Sequence, residues 1–178
     1  VANAGGGATT ANVTCSGEVT PLLPNVVITE VNDHPTFAYE YIELYNNGTS
    51  SVDLTGWRLR QLNSTQTTTL VDNATNVFEG SLNLAPGAYA IIFRGNSSDF
   101  AAFKTAYSIV GTINAYTNDK TSQGSGAPQI NGTETFRLED DLGNLIDFFG
   151  DYNGGTTPAF SVTAGDLYER REYPNNGT

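Results

Sequence analysis

The sequence predicts an all-β fold, a sandwich or barrel of short strands. Three observations carry this. Apolar residues recur at every second position in several short stretches, turn residues separate those stretches, and one segment alone has a helical pattern. At 178 residues the chain holds one domain, or one domain with an extension, with enough length for a two-layer core.

The elements follow in order. Residues 1–25 are an N-terminal extension that begins with VANAGGGATT, too low in complexity to build a core alone. In the following TTANVTCSGEVT, residues Ala11, Val13, Cys15, Gly17 and Val19 take alternate positions. That period of two predicts a strand with one buried face. PLLP then breaks the ladder, because proline has no N–H to donate. Residues 26–178 form the main domain. VVITEV predicts a strand, and YEYIELYN sets Tyr41, Glu43 and Tyr45 against Glu40, Ile42 and Leu44. NNGTS is an Asn-Gly turn. VDLTGWRLRQL bends at Gly56 before a strand, TTTLVD and VFEG are short strands, NLAPG is a turn, and AYAIIF is a buried strand. DFAAFKTAYSIV predicts a helix of two or three turns capped by Ser98 or Asp99. Residues 114–129 predict a loop rich in Gly, Ser and Thr, and ETFRLED and NLIDFFGD flank the hairpin turn DLGN. The count comes to about eight short strands.

VVITEVN, YIELYNNGTSSVDLTGWRL, LAPGAYAIIF and FRLEDDLGNLIDFFGDY, in that order, resemble a lamin tail domain, and YIELYN combined with VDLTGWRL is the strongest motif. The resemblance covers roughly residues 26–172, and GDLYERREY resembles the family's last strand. It implies an immunoglobulin-like β-sandwich of the lamin-tail type, here with a short helical insert and an extra N-terminal strand. Microbial members of this family sit as appended modules on secreted nucleases, peptidases and surface proteins, and the domain is not known as a catalyst. The insert after AIIF and the 25-residue leader depart from the family pattern.

Composition limits the function classes. A net charge of −11 argues against nucleic acid, since phosphate binding needs a basic surface. No apolar run approaches the ~18 residues needed to span a bilayer. Abundant Gly, Thr, Asn and Ser, with 15% charged residues, read as an extracellular or cell-surface protein. The chain starts at Val and lacks Met, which reads as a processed product. The lone Cys15 forbids an internal disulfide and is expected first as a small buried apolar residue, with an intermolecular link or a free thiol as the alternatives.

Glu30, Asp33, His34, Glu40 and Glu43 crowd residues 26–47, where a metal or hydrolase centre competes with a fold signature. One histidine in the whole chain is a poor start for zinc. Calcium could use Glu139, Asp140 and Asp141, or Asp147 and Asp151, although a solvated hairpin turn explains them as well. No carboxylate pair is singled out for glycoside hydrolysis, and no GxSxG motif is present. A Cys15–His34 dyad would place the nucleophile in mid-strand rather than at a helix start. Trp57 and the tyrosines could stack on sugars, or pack across strands. The expectation is a non-enzyme with no catalytic residue, no metal and no cofactor. The strand positions of Glu30 and Glu43 favour the fold signature, each carboxylate accepting hydrogen bonds from a turn or a neighbouring strand.

The densest chemical signal is Asn-X-Ser/Thr, at Asn12, Asn47, Asn63, Asn73, Asn96, Asn131 and Asn176. With 18 Asn, composition alone gives roughly three or four such sequons. Asn47, Asn63, Asn73, Asn96 and Asn131 fall at expected turns or strand ends, where a covalent glycan reaches solvent. The leader strand either edges its own sandwich or inserts in a neighbour's, with Ala11, Val13, Cys15 and Val19 as the docking face. Insertion in a neighbour makes a head-to-tail homopolymer. The first functional expectation is therefore a glycosylated structural subunit of an extracellular fibre. The second is an accessory binding module of a larger secreted hydrolase or surface protein.

Overall fold

The computed structural model describes residues 25–62, 67–70, 77–96, 98–117, 128–130, 134–149 and 168–170. The leader strand with Ala11, Val13, Cys15 and Val19 lies outside them, as do Asn12, Asn63, Asn73, Asn131, Asn176 and Asp151. The described strands are β1 (Val26–Asn32), β2 (Tyr41–Asn46), β3 (Val52–Asp53), β4 (Arg58–Gln61), β5 (Thr67–Thr69), β6 (Val77–Glu79), β7 (Asn83–Leu84), β8 (Tyr89–Phe93), β9 (Asn114–Tyr116), β10 (Phe136–Glu139), β11 (Leu145–Phe149) and β12 (Tyr168–Arg170). A helix, α1 (Phe100–Ala106), separates β8 from β9. The larger sheet runs β12-β1-β2-β8-β9-β6, the smaller β11-β10-β4-β5, and β3 pairs with β7. This is the expected all-β, immunoglobulin-like sandwich.

The main core lies between the sheets. Ile28, Val31, Ile42, Leu44, Ile92 and Tyr116 from the larger sheet meet Leu59, Phe136, Leu138 and Phe149 from the smaller. Each fully buried aliphatic side chain contributes on the order of 1.5–3 kcal/mol. Ile28 and Val31 are three apart yet both join this core, which an unbroken period of two forbids. A bulge at Thr29 absorbs the extra residue, since Ile28 pairs with Leu44 while Glu30 pairs with Glu43. Beside the bulge, the Ile28 N–H donates to Asp147 Oδ2 at 2.8 Å.

The two family-like motifs are built into turns. Asn46, fully buried, donates through Nδ2 to the Ser50 and Leu84 carbonyls, each at 2.9 Å, and accepts from the Gly48 N–H at 2.9 Å. It thereby fixes the exit of β2 against β7. In VDLTGW, Asp53 Oδ1 accepts from the Thr55 N–H at 2.9 Å, and the Trp57 N–H closes on the Leu54 carbonyl at 3.0 Å. Gly56 has φ +77°, and a Cβ there would meet Asp141 Cβ at 3.1 Å, so the bend at this position requires glycine.

Two expectations change. Asn114–Tyr116 is a strand, not the start of a loop, and it runs parallel to β8. α1 is its crossover, because parallel neighbours need a long connection. The Val52–Asp53 and Asn83–Leu84 stretches, expected within a bend and a turn, pair as β3 and β7. Among the described residues, no helix is long and apolar enough to cross a membrane.

Candidate functional site

The crowded carboxylates of residues 26–47 separate by partner. Glu30 accepts from the Tyr41 hydroxyl at 2.5 Å, and Glu43 Oε1 from the Thr29 hydroxyl at 2.8 Å. Glu40, buried, pairs with Arg94 at 2.5 Å and accepts from the Ile130 N–H at 3.1 Å. His34 Nδ1 accepts from the Thr36 N–H at 2.9 Å, and its ring meets Tyr39 edge-on at 5.2 Å. Among the described residues no three His, Cys, Asp or Glu side chains converge on a cation position. Burial pushes the Glu40 carboxyl up to about 7, against the opposing pull of Arg94 and the Ile130 N–H. Burial likewise raises the Tyr107 hydroxyl to about 12, and burial plus the bond to Glu30 raises Tyr41 further. These tyrosines hold their protons and act as donors.

Of the candidate calcium carboxylates, Glu139, Asp140 and Asp147 already have partners. Asp140 Oδ1 accepts from the Leu142 and Asn144 N–H groups at 3.0 and 2.7 Å, and Oδ2 from the Asn144 amide at 2.7 Å. Burial opposes its ionisation, yet these bonds hold its carboxyl below the ordinary value. Glu139 lies 2.8 Å from Arg137 Nε and 3.4 Å from Arg60. Asp140 therefore builds the DLGN turn, in which Gly143 takes φ +85°. Trp57 is 3% exposed and belongs to the core, so it offers no stacking platform. Two sequon asparagines lie within the described residues. Asn47 is exposed just after β2, and Asn96 is half-buried before α1, its Oδ1 accepting from the Ser98 N–H at 2.9 Å.

A different place remains open. The outer face of the larger sheet carries a second apolar cluster, in which Phe93 and Ala115 pack under Phe103 of α1 with Tyr41, Phe100 and Tyr107. The Phe93 and Phe103 ring centroids stand 4.6 Å apart. Lys104 pins the helix to β6 through Glu79 at 2.9 Å and reaches back to the Gly111 carbonyl at 2.6 Å. At seven residues α1 is ~10 Å long, so it covers one end of this face and, among the described residues, leaves the other bare.

The bare end is a groove of about 500 Å³, lined by Glu43, Ala88–Ile91, Ile109 and Thr112–Asn114. Cross-strand register places Glu43 beside Ile91 and Tyr45 beside Tyr89. The Tyr45 and Tyr89 rings lie 4.6 Å apart, tilted by 33°, and Tyr89 is 47% exposed. The far wall is set by the end of α1. Ser108 takes φ +54°, its N–H bonding the Thr105 carbonyl and the Ile109 N–H the Lys104 carbonyl. This Schellman cap turns Ile109 back toward Phe103. Asn114 spans the floor, its amide donating to the Tyr89 carbonyl at 3.1 Å and accepting from the Ser81 N–H at 3.0 Å. A volume in the range of ordinary ligand sites, with a mostly apolar lining and one carboxylate, suits binding rather than proton transfer. Sequence reasoning missed these residues. The available signal was AYAIIF, whose Tyr89, Ile91 and Phe93 alternate with Ala90 and Ile92, so that both faces of the strand need cover.

The family model described as Lamin Tail Domain matches residues 21–153, which takes in β1 through β11. No curated protein matches the chain.

Proposed function

The chain belongs to the lamin tail domain family, and from that premise we propose that it is a non-catalytic extracellular module that holds a partner in the groove of its larger sheet. The groove carries the proposal, since it is a mostly apolar, partly open site of ligand size. The separation of Glu30, Glu40 and Glu43 onto different donors supports the non-catalytic part. The module serves as an accessory to a larger secreted hydrolase or surface protein. Thr112 is exposed on the groove's rim, and Thr112→Trp would fill the mouth without entering the core. On arrays of immobilised polysaccharides and peptides, wild type is expected to retain on a subset that T112W loses, with no soluble product released. Equal retention by both proteins, or release of cleaved product, would overturn the proposal.

A second function is favoured by the alternation of Ala11, Val13, Cys15 and Val19. In it the leader of one molecule adds as a strand to the sandwich of the next, giving a head-to-tail fibre. N-glycans on the sequon asparagines would hydrate and shield that fibre. Strand addition uses a sheet edge, and among the described residues the two large sheets end in β12 and β6 and in β11 and β5. The groove lies on a face, so the two functions use different surfaces.

A further inference from the structure

The chemistry of the groove narrows its occupant. Resting on the binding function above, we infer that it takes an extended peptide segment of another protein, one that presents an aliphatic side chain next to a lysine or arginine. On the groove's face of the sheet the aliphatic side chains are Ile91, Ile109 and Ile113, whereas Ala88 and Ala90 pack on the main core. Branched aliphatic walls match aliphatic side chains, whereas sugar rings are met by flat aromatic faces. Among the described residues, Tyr89 is the one aromatic residue of the lining, and Val110, next to Ile109 in the chain, is 94% exposed. A volume of about 500 Å³ holds more than one such side chain.

Charge selects the second half of the motif. Glu43 lines the groove, and Glu30 stands opposite it across β1 and β2. Register sets Arg170 against Glu30 on the other side of β1, so Glu43 is the carboxylate that a basic side chain meets at the groove. The bond from the Thr29 hydroxyl fixes the Glu43 carboxylate, so little freedom is lost when a partner docks. The net charge of −11 draws basic segments and repels acidic ones over distances near the Debye length, about 8 Å at physiological salt. Side-chain insertion at a face also differs from strand addition at an edge, so the leader is not needed for it.

The test uses residues 1–178, uniformly ¹⁵N-labelled, titrated to millimolar concentration with the peptide Gly-Lys-Ile-Lys-Gly. Gly-Glu-Ile-Glu-Gly and cellotetraose are titrated alongside. The lysine peptide is expected to shift the amides of Tyr89, Ile91, Ile113 and Asn114, and the other two are not. Glu43→Gln is expected to weaken binding about threefold and flatten its salt dependence, as for a partly exposed ion pair. Thr112→Trp is expected to abolish the shifts while the rest of the spectrum stays in place. Equal binding of both peptides, or binding of cellotetraose alone, would overturn the ligand class and leave the groove standing if T112W still blocks it. If none of the three probes shifts groove amides, the ligand class falls, and groove function then rests on the array comparison alone. If the shifts survive T112W, binding lies elsewhere and the groove itself is rejected.

Discussion

Glu40 shows how one side chain can tie a sandwich together and make it sensitive to pH. It sits just before β2, pairs with Arg94 just after β8, and accepts the Ile130 N–H, so three distant segments meet on one carboxylate. The Arg94 guanidinium also lies 5.2 Å over the Phe37 ring. The folded carboxyl titrates near 7 against an ordinary 4.5, so the folded state holds its proton more tightly than the unfolded chain. The stabilisation this gives is fully present below about 4.5 and is lost as pH rises through about 7. A shift of this size corresponds to at most about 3 kcal/mol. Asp140, held below its ordinary value, acts at lower pH and in the opposite sense. Urea unfolding at half-unit steps from pH 5 to 8 is therefore expected to show stability falling across this window. Glu40→Gln, which keeps the shape and loses the proton, is expected to flatten the curve. An identical slope in both proteins would remove Glu40 as its source.

At the scale of elements, the fold was legible wherever a pattern was local. The alternation in YIELYN matches the observed burial of Ile42 and Leu44 against half-exposed Tyr41, Glu43 and Tyr45. The DLGN turn and the helix over Phe100–Ala106 likewise follow from short-range chemistry. β9 was not legible, because three residues carry no usable period and their burial comes from pairing with β8 across the α1 crossover. The groove was hidden for the same reason, since β2, β8, β9 and the segment after α1 each supply part of it. That segment also stores strain. Ser108 occupies the left-handed region in which a side chain costs roughly 1 kcal/mol and glycine almost nothing. It is exposed, so Ser108→Gly removes little packing and is expected to raise stability by about 0.5–1 kcal/mol. That corresponds to a Tm increase of about 1–4 °C by calorimetry for a domain of this size. A fall in Tm would mean that the Ser108 hydroxyl, not the backbone geometry, holds the cap.

At the scale of the whole molecule, face and edge make separable predictions. The groove calls for one partner per module, whereas a donated strand calls for a chain of identical molecules, because each one both gives and receives. The leader alternates small apolar side chains over Ala11–Val19 and is followed by Pro21 and Pro24, a spacing suited to reaching a neighbour. Glycans oppose packing wherever they stand, so a fibre made in a glycosylating host has to leave its contact surfaces clear of them. Asn47, exposed after β2, is expected to carry a glycan detectable by peptide mass spectrometry, and its removal is expected to leave assembly intact. Residues 1–178 from such a host are expected to scatter light as a ladder of oligomers and to form filaments in negative stain. The same protein beginning at Pro21 is expected to stay monomeric while still binding through the groove. T112W should do the reverse, assembling normally and binding nothing. Two monodisperse monomers in the first comparison would return the leader strand to its own sandwich and leave binding as the molecule's function.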